Sequence, residues 1–276
     1  MSSERPISLV VTDLDGTLWH TDDHVADEVV AAIGQLEALG VPLLVATGRR
    51  LASTRAPLAR IGVSPPAVVL NGALGVDLAT GDRFHRAPYP AEEAAAVLAA
   101  FRSVGLDPVM YVDHAEVDVF LSSTPSTHRE HVRALGDTAA VDDLERVAHE
   151  EAVLGFSMIG VPHSDGVAAR DAIGDLAEPH LDRSLDYPGL ASFTAAPRGQ
   201  SKWDGVVAFC AARGLDPGGV LALADGPNDL ELLDRAALRL VPQVAHPAAL
   251  ERADHVIPAA ADGGWARVLE HLDGRR

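Results

Sequence analysis

Two carboxylates two residues apart, Asp13 and Asp15, stand where an apolar run ends. The run, Ile7-Ser8-Leu9-Val10-Val11-Thr12, has the length and β-branched content of a strand buried in a parallel sheet. Open α/β sheets bind ligands at the carboxyl ends of such strands. With Leu14 turned to the core, an extended chain presents both acids to one crevice. Gly16 then permits a sharp turn away. One carboxylate of such a pair can act as a nucleophile while its neighbour protonates a leaving oxygen. Crowded carboxylates repel, and a hard divalent cation relieves the repulsion. The plainer readings are an acidic turn or a structural calcium loop. Thr17, Trp19 and Thr21 do not supply the spaced ligands of an EF-hand.

Other strand ends carry polar residues too. A second apolar run, 41–46, ends in Thr47-Gly48-Arg49, ahead of a helix expected over 51–61. A hydroxyl and backbone N–H groups near a helix start suit a phosphate, although an ordinary capped turn has the same residues. A third run, 67–70, ends in Asn71-Gly72-Ala73, where Asn71 either contacts a ligand or shapes the turn. A fourth, 220–224, ends in Asp225-Gly226-Pro227-Asn228-Asp229. Asp225 is placed to ligate a metal, and Asn228 and Asp229 to contact it or to orient water and Lys202. The two acidic turns together favour a shared magnesium site. Lys202 opens a helix expected over 202–213, where a cation opposes the helix dipole. Facing an anion would explain it; taken alone it reads as a surface lysine. Trp19 either narrows a pocket or simply packs.

The elements that hold these residues alternate. Val29, Val30, Ile33, Leu36 and Leu39 mark one face of a helix over 26–39, ended by Gly40. Strand, helix, strand implies a parallel sheet, so the fold class is α/β with a Rossmann-like, doubly wound core. The texture changes after Gly81. A helix over 91–104 precedes two strands, 108–112 and 117–121, around the tip Asp113-His114-Ala115-Glu116. Helices are expected near 126–135, 142–150 and 165–176, and strands at 153–159 and 190–195. Hairpins mixed with helices point to an inserted α+β domain over 83–195, with 1–82 and 196–276 forming the core. Tyr111, Asp113 and His114 either reach over a site or belong to a solvated tip. The α/β pattern resumes with strands at 238–241 and 255–257 and helices at 247–253 and 264–272.

Composition bounds the function. Against 22 Lys and Arg stand 40 Asp and Glu, a formal charge of −18, which argues against a general nucleic-acid surface. An anionic substrate must therefore meet a local positive focus. Cys210 is the only cysteine, so neither a disulfide framework nor a zinc cluster is available, and a cytoplasmic setting is expected. Met1 to Pro6 lacks a secretory pattern, and no apolar segment approaches membrane-spanning length.

Taken in order, Asp13-Leu14-Asp15-Gly16-Thr17-Leu18, Thr47-Gly48-Arg49, Lys202 and Asp225-Gly226-Pro227-Asn228-Asp229 resemble the four motifs of the haloacid dehalogenase (HAD) superfamily. The long insert resembles its type C2 cap. Asn71-Gly72-Ala73 and Ala253-Asp254-His255-Val256-Ile257 are similar to the Cof-type phosphatases of that superfamily. The resemblance spans nearly the whole chain. It implies a magnesium-dependent phosphatase acting on small phosphorylated metabolites such as sugar phosphates or phosphorylated cofactors. Asp13 would be the nucleophile and form an aspartyl-phosphate; Asp15 would protonate the leaving alcohol and then activate water. Magnesium would be held by the Asp13 carboxylate, the Asp15 carbonyl and Asp225. Thr47 and the Gly48 amide would hold phosphate oxygens, with Arg49, Asn71, Gly72 and Asn228 grouped around substrate. Lys202 would neutralise charge between nucleophile and phosphate, and Asn228 and Asp229 would support the metal and Lys202. Ala224 stands where these motifs commonly have glycine. A phosphomutase, a dedicated sugar-phosphate phosphatase and a non-catalytic phospho-ligand binder are the alternatives.

Overall fold

The first apolar run forms β1 (Leu9–Thr12), every residue of it buried, in a computed structural model that describes residues 6–20, 24–114, 116–184 and 186–272. The polar start at 1–5, Thr21 and position 115 of the hairpin tip lie outside the described residues. From β1 the chain runs through α1 (Asp27–Ala38), β2 (Leu43–Ala46), α2 (Leu51–Arg60), β3 (Pro66–Val69), β4 (Leu74–Asp77) and β5 (Arg83–Arg86).

The insert follows: α3 (Ala91–Ser103), β6 (Val109–Val112), β7 (Val119–Leu121), α4 (Arg129–Leu135), β8 (Ala139–Val141), α5 (Leu144–Glu150), β9 (Val153–Val161), α6 (His163–Ile173), β10 (Glu178–Arg183) and β11 (Ala191–Ala196). The chain then returns through α7 (Lys202–Arg213), β12 (Val220–Leu223), α8 (Leu230–Arg235), β13 (Leu238–Pro242), α9 (Pro247–Leu250) and β14 (His255–Ile257), and closes with a 3₁₀ segment, Gly264–His271. Contacts divide the chain into two compact units, one of residues 1–49, 53–86 and 201–276, the other of 50–52 and 87–200.

The first unit is built on an eight-stranded sheet in the order β14-β13-β12-β1-β2-β3-β4-β5. It is parallel from β14 to β3, while β4 and β5 add an antiparallel edge. The sequence pattern ends the first core segment at residue 82. Instead 83–86 pair with β4, and Phe84 stacks edge-on to Phe209 of α7 with ring centroids 5.2 Å apart. On one sheet face, Leu9, Val11, Leu44 and Ala222 pack with Val206, Phe209 and Cys210 of α7 and with Leu232 and Leu233 of α8. The lone thiol is thus a core residue. Val10 and Thr12 point the other way. The Trp265 indole N–H reaches Thr12 Oγ1 at 2.8 Å on that side, where the closing segment also packs on α1.

The second unit has a six-stranded sheet in the order β10-β11-β9-β6-β7-β8, antiparallel except for β7 with β8. Met110, Phe156, Met158 and Phe193 share one face because they alternate along their strands, and α3, α5 and α6 bury that face with Phe101, Val147 and Ile173. The expected hairpin is present, with Met110 opposite Phe120. Of the residues considered at its tip, Tyr111 is buried within β6, whereas exposed His114 shapes the turn, its Nδ1 accepting from the Glu116 and Val117 amides at 3.2 and 3.3 Å. No helix among the described residues is long and apolar enough to cross a membrane.

Candidate active site

Four adjacent parallel strands, β12, β1, β2 and β3, bring their carboxyl ends to one edge of the first unit. The Asp13 amide still pairs with Leu223 O at 2.9 Å, so its side chain leaves from a fixed strand end. The chain then folds back on itself. The Leu14 carbonyl accepts from the amides of Thr17, Leu18 and Trp19 at 3.2, 2.9 and 3.1 Å. Leu14 is fully buried, which turns the two acids outward. Gly16 has φ 79°, the left-handed region, and a Cβ there would lie 2.3 Å from Asp225 Oδ2. The first acidic turn therefore packs directly on the second, and only glycine fits between them.

Lys202 is 1% exposed, not a surface lysine. Its Nζ donates to Asp13 Oδ1 at 2.8 Å and to Asp229 Oδ1 at 2.6 Å. Helix α7 aims it there, fixed at its start by Ser201, whose amide and hydroxyl both bond Asp204 Oδ2 at 2.8 Å. Asp229 is further held by the Gly226 amide on Oδ2 at 2.9 Å. Asp225 Oδ1 accepts from the Thr17 hydroxyl at 3.0 Å.

The other strand ends complete the edge. Thr47 Oγ1 accepts from the Arg49 amide at 3.2 Å. A Cβ on Gly48 would come 3.0 Å from Asn71 Oδ1, so the Gly48 backbone stays open to close approach. Asn71 is buried in a left-handed conformation, φ 53° and ψ 31°, and its side-chain oxygen accepts from Asn228 Nδ2 at 2.9 Å. Its amide donates to Thr47 O at 3.1 Å. Asn71 thus both shapes its turn and ties the β2, β3 and β12 loops together, with Gly72 buried beside it.

Arg49 makes a contact that the sequence does not announce. Its guanidinium forms a two-pronged ion pair with Asp15, Nε to Oδ2 at 2.6 Å and Nη2 to Oδ1 at 2.5 Å. It also stacks 5.0 Å from the Trp19 ring centroid. Trp19 is fully buried, and its indole N–H donates to Asp15 Oδ1 at 3.0 Å. In sequence Trp19 is packing or a pocket wall, and nothing there announces its hydrogen bond to Asp15. The bond from Thr17 to Asp225 is not announced either, although a hydroxyl two residues past Asp15 in an acidic turn is a usable signal. Nothing in the sequence pointed from Trp265 to Thr12.

Charge at this edge is unbalanced. Burial raises the Asp13 carboxyl well above the usual range; Lys202 pulls it down, while Asp229, Asp225 and Asp15 push it up. Burial, then Asp229, pushes Asp225 up to about 7, against the Thr17 hydrogen bond. Burial alone would lower Lys202, but Asp13 and Asp229 outweigh it and hold the ammonium above its ordinary value. Asp13, Asp225 and Asp229 each offer an oxygen within 4.8 Å of the others. Three crowded carboxylates facing one ammonium, all donors being hard oxygens, suit a divalent cation such as magnesium.

Comparison with known proteins fits this geometry. The sequence family described as haloacid dehalogenase-like hydrolase matches residues 10–269. A phosphoglycolate phosphatase of Methanopyrus kandleri is 26% identical over 265 residues, covering 96% of this chain and 97% of that protein. A haloacid dehalogenase-like hydrolase from B. subtilis superimposes with a TM-score of 0.79 at 18% identity, covering 96% of this chain and 100% of that one. A HAD subclass IIB sugar phosphatase superimposes with a TM-score of 0.74 at 18% identity, covering 96% and 98%.

Proposed function

The chain belongs to the haloacid dehalogenase-like hydrolases, and on that premise we propose that it is a magnesium-dependent phosphatase of small phosphorylated metabolites working through an aspartyl-phosphate. That it is a phosphatase follows from its family and relatives; the metal, the intermediate and the residue roles are our reading. The observation that carries it is the buried ammonium of Lys202 set between Asp13 and Asp229, with Asp225 alongside.

Lys202 bonds Asp13 Oδ1, which fixes the carboxylate and directs Oδ2 to attack phosphorus. The Asp13 O–P bond forms as the bond from phosphorus to the leaving oxygen breaks. Asp15 gives its proton to that oxygen, so the product leaves as a neutral alcohol. Water then attacks the aspartyl-phosphate, Asp15 takes the water's proton, and inorganic phosphate departs with Asp13 restored. Thr47, the Gly48 amide and Lys202 hold the phosphate oxygens, with Asn71, Gly72 and Asn228 shaping that cradle. For the proton transfers Asp15 must exchange part of its pairing with Arg49, which then turns towards the substrate. The Asp13 and Asp225 carboxylates and the Asp15 carbonyl would hold magnesium, supported by Asn228 and Asp229. When bound, the cation offsets the repulsion between the carboxylates and a phosphate dianion. Residues 87–200 serve as the C2-type cap.

Phosphate release from a panel of phosphorylated metabolites, with and without Mg2+, tests this reading. Phosphoglycolate and sugar phosphates come first, given the activities named for the similar proteins. Asp13→Asn should lose about 10³-fold or more in kcat, as expected on removal of a nucleophile. Near-native turnover by that variant would eliminate the aspartyl-phosphate.

A further inference from the structure

We propose that Trp19 is a positioning residue for the chemistry, its indole N–H holding the Asp15 carboxylate in the orientation from which it serves the leaving oxygen. This rests on the role of Asp15 proposed above. The Asp15 carboxylate accepts three hydrogen bonds in the structure: Arg49 Nη2 and Trp19 Nε1 on Oδ1, and Arg49 Nε on Oδ2. The two partners differ in kind. Arg49 is about one-fifth exposed on a long side chain, and its pairing with Asp15 must loosen for a proton to pass. Trp19 has no exposure, and its backbone is tied on both sides, its amide to Leu14 O at 3.1 Å and its carbonyl to the Gly16 amide at 2.8 Å.

The indole bond therefore persists when Arg49 moves. It pins Oδ1 and leaves Oδ2 as the oxygen that turns to the leaving group. A buried indole N–H requires a partner, and here that partner is the group that moves the proton. An indole N–H neither gains nor loses a proton in the ordinary pH range, so it orients the acid without competing for its proton. The same ring lies against the Arg49 guanidinium, 5.0 Å from centroid to Cζ, and offers it a face along which to swing.

The test separates orientation from packing by the leaving group. Trp19→Phe keeps a buried aromatic ring and deletes the N–H. The kcat/KM of wild type, Trp19→Phe and Asp15→Asn would be measured with Mg2+ on an alkyl phosphate and on p-nitrophenyl phosphate, whose leaving group departs as an anion. We expect Trp19→Phe to lose on the order of tenfold more on the alkyl ester than on the aryl ester, a fraction of the roughly 10²–10⁴ that a general acid contributes. Benzothienylalanine at position 19, which replaces the indole N–H by sulfur at nearly constant shape, should give the same pattern even if the phenylalanine variant folds poorly. Equal losses on both esters in these variants, with a leaving-group-dependent loss in Asp15→Asn, would overturn the role of Trp19 alone. Equal losses in Asp15→Asn as well would overturn the acid assignment beneath it.

Discussion

Lys202 shows how much one side chain decides at this site. It is the ammonium set between Asp13 and Asp229, buried with both. Removing one member of a buried charged cluster leaves the others uncompensated, at about 3–5 kcal/mol. Lys202→Met should therefore lower stability by about that amount in urea unfolding without metal. Asp13→Asn should cost far less, because burial already disfavours its charge and Lys202 keeps Asp229. Similar losses in the two variants would show that Lys202 does not balance the cluster. The identities of Asp13, Asp15, Asp225 and Lys202 as candidates were legible from type and spacing. Their partners were not. Lys202 meets Asp13 across 189 residues and Arg49 meets Asp15 across 34, so both pairings depend on which strands become neighbours. Arg49 stands in a motif that favours a phosphate, and its pairing with Asp15 adds a partner which that motif does not announce.

At the scale of elements, the strands that the sequence concealed sit mainly at edges. β5, β8 and β10 each end a sheet, and β4 lies next to one. β10 reads Glu-Pro-His-Leu-Asp-Arg, whose proline and charges are what an edge strand tolerates and a central strand does not. Central strands such as β1 and β12 announce themselves because both faces are buried. Helix α4 carries a consequence of its own. His131 lies there, and burial, with Arg50 and His128 nearby, pushes its imidazole down to about 4. Its Nε2 is buried without a hydrogen-bond partner among the described residues. The unfolded chain takes up this proton near pH 6.5 and the folded chain only near 4. Lowering the pH through that window therefore favours unfolding, and the contribution is present in full only above it. From pH 8 to pH 5 the wild type should lose about 2 kcal/mol that His131→Gln does not lose, as read by urea unfolding at both values. Parallel losses would place His131 in contact with solvent water.

The whole molecule combines two compact units with a net charge of −18. Each unit closes its own core: one around Phe101, Phe156 and Phe193, the other around β1, β12, α7 and α8. Such a chain need not unfold in one step. The acidic excess has a local counterpart in the first unit, where Asp13, Asp225 and Asp229 crowd one ammonium. A cation that binds only this arrangement stabilises the folded state by mass action, by about 2.7 kcal/mol at a hundredfold excess over its Kd. For a unit of this size that corresponds to a rise in Tm of roughly 5–10 °C. Scanning calorimetry in EDTA and in saturating Mg2+ should therefore shift the part of the endotherm that belongs to the first unit. The part belonging to residues 87–200, which contain none of these acids, should stay in place. Asp225→Asn should abolish the shift, whereas His131→Gln in the second unit should retain it. A uniform shift that survives Asp225→Asn would mean that Mg2+ acts on the acidic surface at large and not at the strand ends.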